Sequence, residues 1–444
     1  MNLLFVVPDY GPSDRGGIGT YYRNLFPALL RTGCKIDVCI VWGGEAKPDQ
    51  IGVNNFFVDR ALVKRQEKRL AHLAATPILR HILARNFAAW ETCNSGNGYD
   101  VVEVADWNLM YAPWLAAHNG PKVVVQLHGS SGQIDFYDAY ERNELAGLTN
   151  RLLDTALFGR ADELQTYGPK NAEFWSNLLN RPVHHIWPAW SKNSAVDKNP
   201  PPRLSDPYGI VAGRIQSWKG PDVLCEAMAL LGPSAPEIRW VGKDFPYRRF
   251  DQSFSAYLKK TYPQVWEKSI KPIGELSPEG TAALQAAAKF AVVPSIWDTF
   301  NLTAIEAMGV GKVVICSDGA GAAALIDHGV NGFRFPAGDA ASLAELIAKV
   351  DAMPASEREA MGRLASGTIK RELDADRIAA HRLERFARLL AMPPARRGPH
   401  PWLESFFASS VEPRPFAFLE GLPLREIVRH AAKRIVRRIR SRPP

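Results

Sequence analysis

The sequence predicts an α/β protein made of two similar halves, each a parallel sheet covered by helices. Three observations predict this class. Short, continuous apolar runs are typical of buried parallel strands. Helical patterns alternate with these runs through both halves of the chain. The run Lys198-Asn199-Pro200-Pro201-Pro202 separates the halves as an extended connector, and the 444 residues suffice for two large domains.

The N-terminal half begins with a β-α-β unit of about 40 residues. Its first strand is predicted over residues 3–7 and its second over 36–41, with a glycine-rich turn and a helix between them. Pro27 lies within that helix and should interrupt or kink it. Further elements of this half are predicted as a helix over 61–92 and strands over 101–104 and 122–127.

The alternation of strands and helices starts again after the proline connector. The predicted strands are 208–213, 239–242, 290–294 and 313–316, and the predicted helices are 221–231, 342–350 and about 375–391. Ligands of such sheets bind beyond the carboxyl ends of the strands, and the cleft between two halves is a further place for them. Functional residues should therefore follow the strand ends.

The composition excludes several classes of protein. A hydrophobic fraction of 46% and a charged fraction of 23% are those of a folded globular protein rather than a disordered one. The chain contains no apolar run of about 18 residues, which argues against a polytopic membrane protein, and its first residues lack the pattern of a signal peptide. The five cysteines are scattered without a CxxC pair, which disfavours a disulfide framework or a zinc site and favours a reducing cytoplasm.

Nearly all of the formal net charge of +8 lies in residues 422–444, which hold eight Lys or Arg against one Glu. The remaining body is almost neutral, which disfavours a nucleic-acid-binding surface. Apolar residues of the tail recur at helical spacing, with basic residues on the complementary face. We therefore predict a basic amphipathic helix suited to an anionic membrane surface. Docking on a partner or on the body, or a solvated end, are the alternatives.

Two carboxylates follow the strand predicted at 290–294. Asp298 lies in the turn after that strand, and Glu306 lies one to two turns into the next helix. Both can face a ligand held over the helix N-terminus, whose N–H groups and dipole attract phosphate. Carboxylates also accept hydrogen bonds from vicinal hydroxyls, as in a ribose or a hexose. A capping Asp and a solvated Glu are the alternative interpretation.

Two cations follow the strand predicted at 208–213. Arg214 and Lys219 share one loop, and Gly213 and Gly220 allow a ligand to approach it closely. A planar guanidinium and a compact ammonium at this spacing suit a diphosphate. The alternative interpretation is a solvated basic loop.

Two further segments can face the cleft. The turn that contains Gly16, Gly17 and Gly19 could offer backbone N–H groups to a phosphate, although it lacks the G-x-G-x-x-G spacing of dinucleotide-binding turns. His128 follows the strand predicted at 122–127 and precedes a glycine, a position that favours a cleft-facing side chain. It could make a polar contact with a sugar or relay a proton, and a purely structural histidine is the alternative.

These motifs occur in a fixed order along the chain. In sequence they are GGIGTYYRNL, QLHG, VAGRIQSWKGPDVLCEAM, WVGKD, PSIWDTFNLTAIEAMGVGKVV and NGFRFPAGDAASLAELI. Together they resemble the retaining glycosyltransferases of family 4, also described as glycosyl transferases group 1. The resemblance covers roughly residues 1–390 and is strongest over 208–350. It implies the GT-B fold, in which two Rossmann-like doubly wound domains face a central cleft.

The resemblance also implies an activity. The enzyme would need no metal and no cofactor, and would transfer a sugar from a UDP- or GDP-sugar to a glycan or lipid-linked acceptor, as in bacterial cell-envelope polysaccharide synthesis. Its expected location is the cytoplasm, peripheral on the inner membrane through residues 422–444. Nucleic acid is not an expected partner. A nucleotide-sugar epimerase of the same fold and a non-catalytic scaffold subunit are the rival hypotheses.

Each motif residue has a role implied by the resemblance. Gly16 and Gly17 would lie near the donor phosphates, and His128 would contact the transferred sugar. Arg214 and Lys219 would bind the diphosphate, and Asn301 and Leu302 would offer backbone N–H groups to the phosphates. Asp298 would bind sugar hydroxyls and Glu306 the ribose. The implied layout is an acceptor-side domain over 1–198, a nucleotide-sugar domain over 203–375, a helix over 376–392 that packs back on the first domain, and a tail over 393–444.

Three departures from the family pattern bear on the donor sugar. Asp298 stands where the family usually has a Glu, so the carboxylate is one methylene shorter. Residues 319–324 contain no carboxylate where many members carry a Glu. The usual Asn-Gly turn before the connector is replaced by Trp187-Pro188-Ala189-Trp190. The sequence therefore leaves the identity of the donor sugar open.

Overall fold

The computed structural model describes residues 1–10, 16–43, 52–138, 145–191, 208–247, 252–393, 398, 400–407 and 417–440. The proline connector predicted at 198–202 lies outside the described residues. Among the helices of the described ranges, none has the length and apolarity that crossing a bilayer requires.

The N-terminal domain is a parallel sheet with helices on both faces. In the described ranges its sheet has seven strands in the order β3-β2-β1-β4-β5-β6-β7. The strands are β1 (Asn2–Val7), β2 (Lys35–Ile40), β3 (Val53–Phe57), β4 (Val101–Ala105), β5 (Lys122–Leu127), β6 (Glu163–Thr166) and β7 (His184–His185). The helices are α1 (Gly17–Arg31), α2 (Arg60–Arg69), α3 (Pro77–Thr92), α4 (Ala112–Ala116), α5 (Ser131–Tyr137), α6 (Leu145–Phe158) and α7 (Pro169–Leu179). All residues of β4 and β5 are buried, as is typical of strands covered on both faces.

The C-terminal domain repeats this architecture. Within its described residues the main sheet has six parallel strands in the order β12-β9-β8-β13-β14-β15, and β10 and β11 form a short antiparallel pair. The strands are β8 (Gly209–Ala212), β9 (Ile238–Val241), β10 (Pro246–Tyr247), β11 (Gln252–Ser253), β12 (Ile270–Gly274), β13 (Phe290–Val293), β14 (Val313–Ser317) and β15 (Phe333–Phe335). The helices are α8 (Pro221–Leu231), α9 (Phe254–Thr261), α10 (Pro278–Ala287), α11 (Leu302–Gly309), α12 (Ala340–Ala352) and α13 (Ala355–Glu372).

The residues described after the second domain form the α-helices α14 (Ala375–Ala391), α15 (Pro401–Phe407) and α16 (Leu424–Arg440). Although α14 follows the C-terminal domain in sequence, it returns to the N-terminal domain and packs against α1. Leu403 and Phe407 of α15 also lie in the core of the N-terminal domain. The end of the chain therefore contributes to the first domain.

The predicted α/β class with two parallel sheets is confirmed, but two details of the N-terminal half differ. Helix α1 runs through Pro27 without interruption. Pro27 has no N–H group to donate to the carbonyl oxygen of Arg23. Because Pro27 is exposed, that carbonyl group can bond to water instead. Tyr22 and Phe26, on another face of the helix, are buried. The single helix predicted over 61–92 is divided into α2 and α3, and Pro77 starts α3, a position that proline favours.

Candidate functional site: a cleft between the two domains

The two domains meet at the loop over residues 294–301, between β13 and α11. Gly168, which precedes α7, approaches this loop so closely that a Cβ would lie 2.1 Å from the carbonyl oxygen of Thr299. Trp297 of the loop stacks on Tyr137 of α5, with ring centroids 4.7 Å apart and an interplanar angle of 5°. A Cβ on Gly129 would lie 2.8 Å from the Thr299 hydroxyl oxygen. These contacts place the end of β5 opposite the end of β13.

Arg214 and Lys219 lie beside Asp298 at this junction. The Lys219 ammonium donates to the Asp298 carboxylate, and the two side chains are only 19% and 16% exposed. The Arg214 side chain keeps access to solvent; nevertheless, surrounding protein lowers its pKa, and the nearby Asp298 and Asp9 carboxylates oppose that shift. Because an ammonium carries three donors and a guanidinium five, both cations can hold these carboxylates and a phosphate together.

The start of α11 completes the anion-binding end of the cleft. Asn301 caps the helix with a φ of 81°, and its side-chain oxygen accepts from the Ala304 N–H at 3.0 Å. Its amide group donates to the same oxygen of Asp298 that Lys219 contacts, at 3.1 Å. The first N–H groups of a helix, here from Leu302 onward, have no intrahelical acceptor and favour an anion. The cap therefore ties the carboxylate to the helix terminus.

The glycine turn of the N-terminal domain faces this terminus. A Cβ on Gly17, the first residue of α1, would lie 4.0 Å from Leu302 Cδ1. A Cβ on the neighbouring Gly16 would lie 3.0 Å from an Asp9 carboxylate oxygen. Of this turn, residues 11–15 lie outside the described ranges. The start of α1 and the start of α11 thus lie close together where the two domains meet.

Glu306 lies one turn further along α11. Burial raises the pKa of its carboxyl to about 7, and the charge of Arg23 on α1 opposes that rise. Arg23 also donates to the Thr20 hydroxyl at 2.9 Å. Arg23 is not among the sequence-predicted site residues, although its position four residues after Gly19 on the same helix is a usable signal. A cation of one domain therefore lies near the carboxyl group of the other.

His128, just beyond β5, is held by tyrosines on both ring nitrogens. Its Nδ1 lies 3.0 Å from the Tyr167 hydroxyl and its Nε2 lies 3.3 Å from the Tyr22 hydroxyl. The Asp106 carboxylate accepts from the His128 and Gly129 N–H groups at 2.9 and 3.1 Å. Burial lowers the pKa of the imidazole to about 3, so the ring is neutral at pH 7 and a weak base. The low pKa argues against the proton-relay role of His128, and its contact with a sugar remains a prediction.

The structure thus brings the sequence-predicted residues to one cleft from both domains. The N-terminal domain supplies Gly16, Gly17 and His128, and the C-terminal domain supplies Arg214, Lys219, Asp298, Asn301, Leu302 and Glu306. The residues that sequence reasoning missed are Asp9, Tyr22, Arg23 and Tyr167, which surround them. Over the described part of the chain, no three His, Cys, Asp or Glu residues are grouped to hold a metal ion.

Comparisons with known proteins identify the family. Residues 16–179 match the family model described as "Glycosyl transferase 4-like domain", and residues 194–366 match "Glycosyl transferases group 1". A D-inositol 3-phosphate glycosyltransferase of Jonesia denitrificans is 31% identical over 368 residues, which cover 73% of this chain and 80% of that protein. This chain belongs to the group 1 glycosyltransferases.

Other similarities extend over nearly the whole glycosyltransferase. A D-inositol 3-phosphate glycosyltransferase of Xylanimonas cellulosilytica is 24% identical over 87% of this chain and 95% of that protein. The sucrose-phosphate synthase of Thermosynechococcus elongatus superposes with a TM-score of 0.67 and 20% identity, over 88% of this chain and 99% of that chain. Anabaena HepE in complex with UDP-glucose superposes with a TM-score of 0.61 and 17% identity, over 87% of this chain and 100% of that chain. The predicted GT-B fold is confirmed.

The contact between Gly168 and the Thr299 carbonyl group can be tested by substitution in this glycosyltransferase. Gly168→Ala should force the Thr299 loop away from the N-terminal domain, because no Cβ fits 2.1 Å from a carbonyl oxygen. A misplacement of about 1 Å can cost on the order of 10²-fold in rate, so kcat/KM should fall by roughly that factor. In Gly159→Ala the new Cβ meets nothing within 4 Å, and its kinetics should match the wild type. Equal kcat/KM values for both variants would contradict the proposed contact.

The pKa of Glu306 predicts a pH dependence of donor binding. An ionised carboxylate is the better acceptor for two hydroxyls, so affinity for a nucleotide sugar should increase with pH through about 7. If only the ionised form binds, Kd should fall about tenfold between pH 6 and pH 8. Calorimetric titrations at several pH values measure this, and Glu306→Gln should remove the dependence. A pH-independent wild-type Kd would show that Glu306 does not contact the donor.

Proposed function

We propose that this glycosyltransferase is a retaining, metal-independent enzyme that moves a sugar from a nucleotide-diphosphate sugar to a glycan or lipid-linked acceptor in bacterial cell-envelope polysaccharide synthesis. One observation carries the proposal. Lys219 and Arg214 lie beside Asp298 at the N-terminus of α11, at the point where the domains meet. This arrangement suits a sugar hydroxyl next to a diphosphate.

The proposed reaction follows from where charge develops. The bond from the anomeric carbon to the diphosphate oxygen breaks, and the acceptor oxygen bonds to the same face of that carbon. The acceptor's proton passes to the departing phosphate oxygen, because His128 is a weak base engaged on both nitrogens. Arg214, Lys219 and the first N–H groups of α11 stabilise the charge that grows on the phosphate, and they do so more in the transition state than in the ground state.

Two carboxylates would orient the donor on either side of the diphosphate. Glu306 would accept from the ribose hydroxyls, and Asp298 from hydroxyls of the transferred sugar. Asp298 is fixed for this role because Lys219 and Asn301 both donate to it. Its reach is one methylene shorter than that of a Glu, so we expect a donor whose hydroxyls lie correspondingly closer to the loop.

A second acceptor class has specific support. The relatives of Jonesia and Xylanimonas are named D-inositol 3-phosphate glycosyltransferases. Those names favour a small phosphorylated polyol or sugar phosphate as an alternative to a glycan chain. Transfer should therefore be measured with acceptors of both classes.

Thermal unfolding of the protein, measured with each of a panel of UDP- and GDP-sugars, tests the donor site. The true donor should raise the melting temperature most, and product NMR should show a retained anomeric configuration. Lys219→Met should lower kcat about 10²- to 10³-fold, as does loss of one donor to a developing anion. Lys289→Met is the matched control, since Lys289 pairs with Asp351 at 2.6 Å outside the cleft and should leave kcat unchanged.

Each rival hypothesis has its own outcome in that assay. An inverted product would overturn the retaining mechanism. A donor sugar altered without an acceptor would favour the epimerase, and failure to bind any nucleotide sugar would favour the scaffold subunit. Equal losses of kcat in Lys219→Met and Lys289→Met would show that Lys219 acts only through stability.

The C-terminal helix α16 supports the membrane part of the proposal. Leu424, Val428 and Ile435 are 74%, 59% and 60% exposed, so the apolar side is uncovered in this structure. The basic side chains described on the helix, Arg425, Arg429, Lys433 and Arg434, are exposed as well. Exposed apolar groups together with dense positive charge match the interface of an anionic bilayer. We infer that α16 holds the enzyme near a lipid-linked acceptor.

Vesicle binding tests the role of α16. The full chain should sediment with phosphatidylglycerol vesicles and not with phosphatidylcholine vesicles, and removal of residues 422–444 should abolish this. Lys433→Gln with Arg434→Gln should weaken binding about 10- to 30-fold, since each basic residue contributes about 1 kcal/mol. The truncated enzyme should still act on a water-soluble acceptor. Equal binding by full and truncated chains would contradict the proposal, whereas binding of neither to vesicles would favour a protein partner.

A further inference from the structure

A charged pair lies fully buried beneath the cleft, between the last helix of the GT-B core and the N-terminal sheet. Arg382 of α14 is 0% exposed and Glu103 of β4 is 1% exposed. The Arg382 guanidinium donates to the Glu103 carboxylate, to the Tyr21 hydroxyl at 2.6 Å and to Gln126 Oε1 at 3.1 Å. Removing two such charges from water is unfavourable before they pair, so apolar contacts alone would pack α14 on the sheet more favourably.

The Arg382–Glu103 pair connects to His128 through the Tyr22 hydroxyl. The Tyr22 hydroxyl donates to Glu103 Oε1 at 3.0 Å, and its oxygen lies 3.3 Å from His128 Nε2. On the other side of the ring, Nδ1 lies 3.0 Å from the Tyr167 hydroxyl. An unbroken hydrogen-bonded chain therefore runs from Arg382 through Glu103 and Tyr22 to the imidazole.

The charge state of Glu103 decides the direction of every hydrogen bond in this chain. Burial raises the pKa of Glu103, and the guanidinium of Arg382 opposes the rise. An ionised carboxylate only accepts, so the single proton of Tyr22 points to Glu103 and the Tyr22 oxygen accepts from Nε2–H. Nδ1 is then unprotonated and accepts from Tyr167. A neutral Glu103 would permit the reverse order.

We propose that Arg382 is a positioning residue for the sugar-transfer site, which fixes the orientation of His128 and its Nε2–H tautomer through Glu103 and Tyr22. The inference rests on the proposed role of His128 at the transferred sugar. It gives α14 a function: the helix that leaves the nucleotide-binding domain completes the sugar site of the other domain.

The tautomer can be read without substrate. In ¹⁵N-histidine protein, long-range ¹H–¹⁵N spectra distinguish Nε2–H from Nδ1–H rings, and His128→Gln identifies the signal among the ten histidines. The wild type should show Nε2–H. Tyr22→Phe, which keeps the ring but removes the oxygen, should mix the tautomers, and Arg382→Met should favour Nδ1–H. If Arg382→Met does not fold, Glu103→Gln with Arg382→Met removes both charges, and the tautomers should then be mixed, because an amide can accept from or donate to the Tyr22 hydroxyl.

A matched variant separates positioning from stability. Arg385 lies one turn along α14 and pairs with Glu163 at 2.8 Å, without contacting the Tyr22–His128 chain. Arg385→Met should therefore destabilise the protein while leaving the His128 tautomer as in the wild type. Arg382→Lys should keep Glu103 ionised and restore Nε2–H.

Kinetics provide the second readout. Tyr22→Phe and Arg382→Met should lower kcat about 10- to 100-fold, because misplacing a group that contacts the substrate can cost up to about 10²-fold in rate, with the KM for the donor within about twofold. The proposal would be overturned if His128 kept the Nε2–H tautomer in every variant. It would also be overturned if Arg385→Met lowered kcat as much as Arg382→Met does. An inactive wild type with the expected tautomers would instead contradict the proposed function alone.

Discussion

The geometry of the cleft depends on backbone packed against backbone where no side chain fits. A Cβ on Gly220 would lie 1.8 Å from the Pro294 carbonyl oxygen, and one on Gly168 would lie 2.1 Å from that of Thr299. The loop after β13 is thereby held between the Lys219 loop of its own domain and the N-terminal domain. Asp298 lies within this fixed segment, so its contacts with Lys219 and Asn301 follow from the packing.

Burial and pairing give the ionisable groups of the cleft different states. Glu306 has a pKa of about 7, raised by burial, while Asp298 is paired with a cation and a cap amide. His128 remains neutral because burial lowers its pKa to about 3. At neutral pH the Glu306 carboxyl is therefore about half ionised, whereas the His128 ring is neutral.

Much of the fold, and many of the residues that reach the cleft, could be predicted from local sequence. Continuous apolar runs predicted the buried parallel strands, because such strands are covered on both faces. Charged residues at strand ends, such as Arg214 and Asp298, reached the cleft because the carboxyl ends of parallel strands share one edge. The uninterrupted course of α1 did not follow, because the exposure of Pro27 depends on tertiary packing.

The supporting network could not be predicted from local patterns. Arg382 contacts Tyr21 across 361 positions of the chain, and no periodicity encodes that pairing. One usable signal was Glu103, a carboxylate within the apolar strand β4. A charge at such a position requires a buried partner, although the sequence does not say which one. Arg23 differs, because its position on α1 after the glycine turn is a local signal, although the buried Glu306 carboxyl that its charge affects belongs to the other domain.

The proposed function requires that the cleft between the two domains binds the diphosphate of an activated sugar. A crystal structure of the enzyme with its nucleotide-sugar donor would show this binding. We expect diphosphate oxygens within hydrogen-bonding distance of Arg214, of Lys219 and of the backbone N–H groups at the start of α11, with the ribose at Glu306. A donor bound elsewhere, or one whose diphosphate contacts none of these groups, would contradict it.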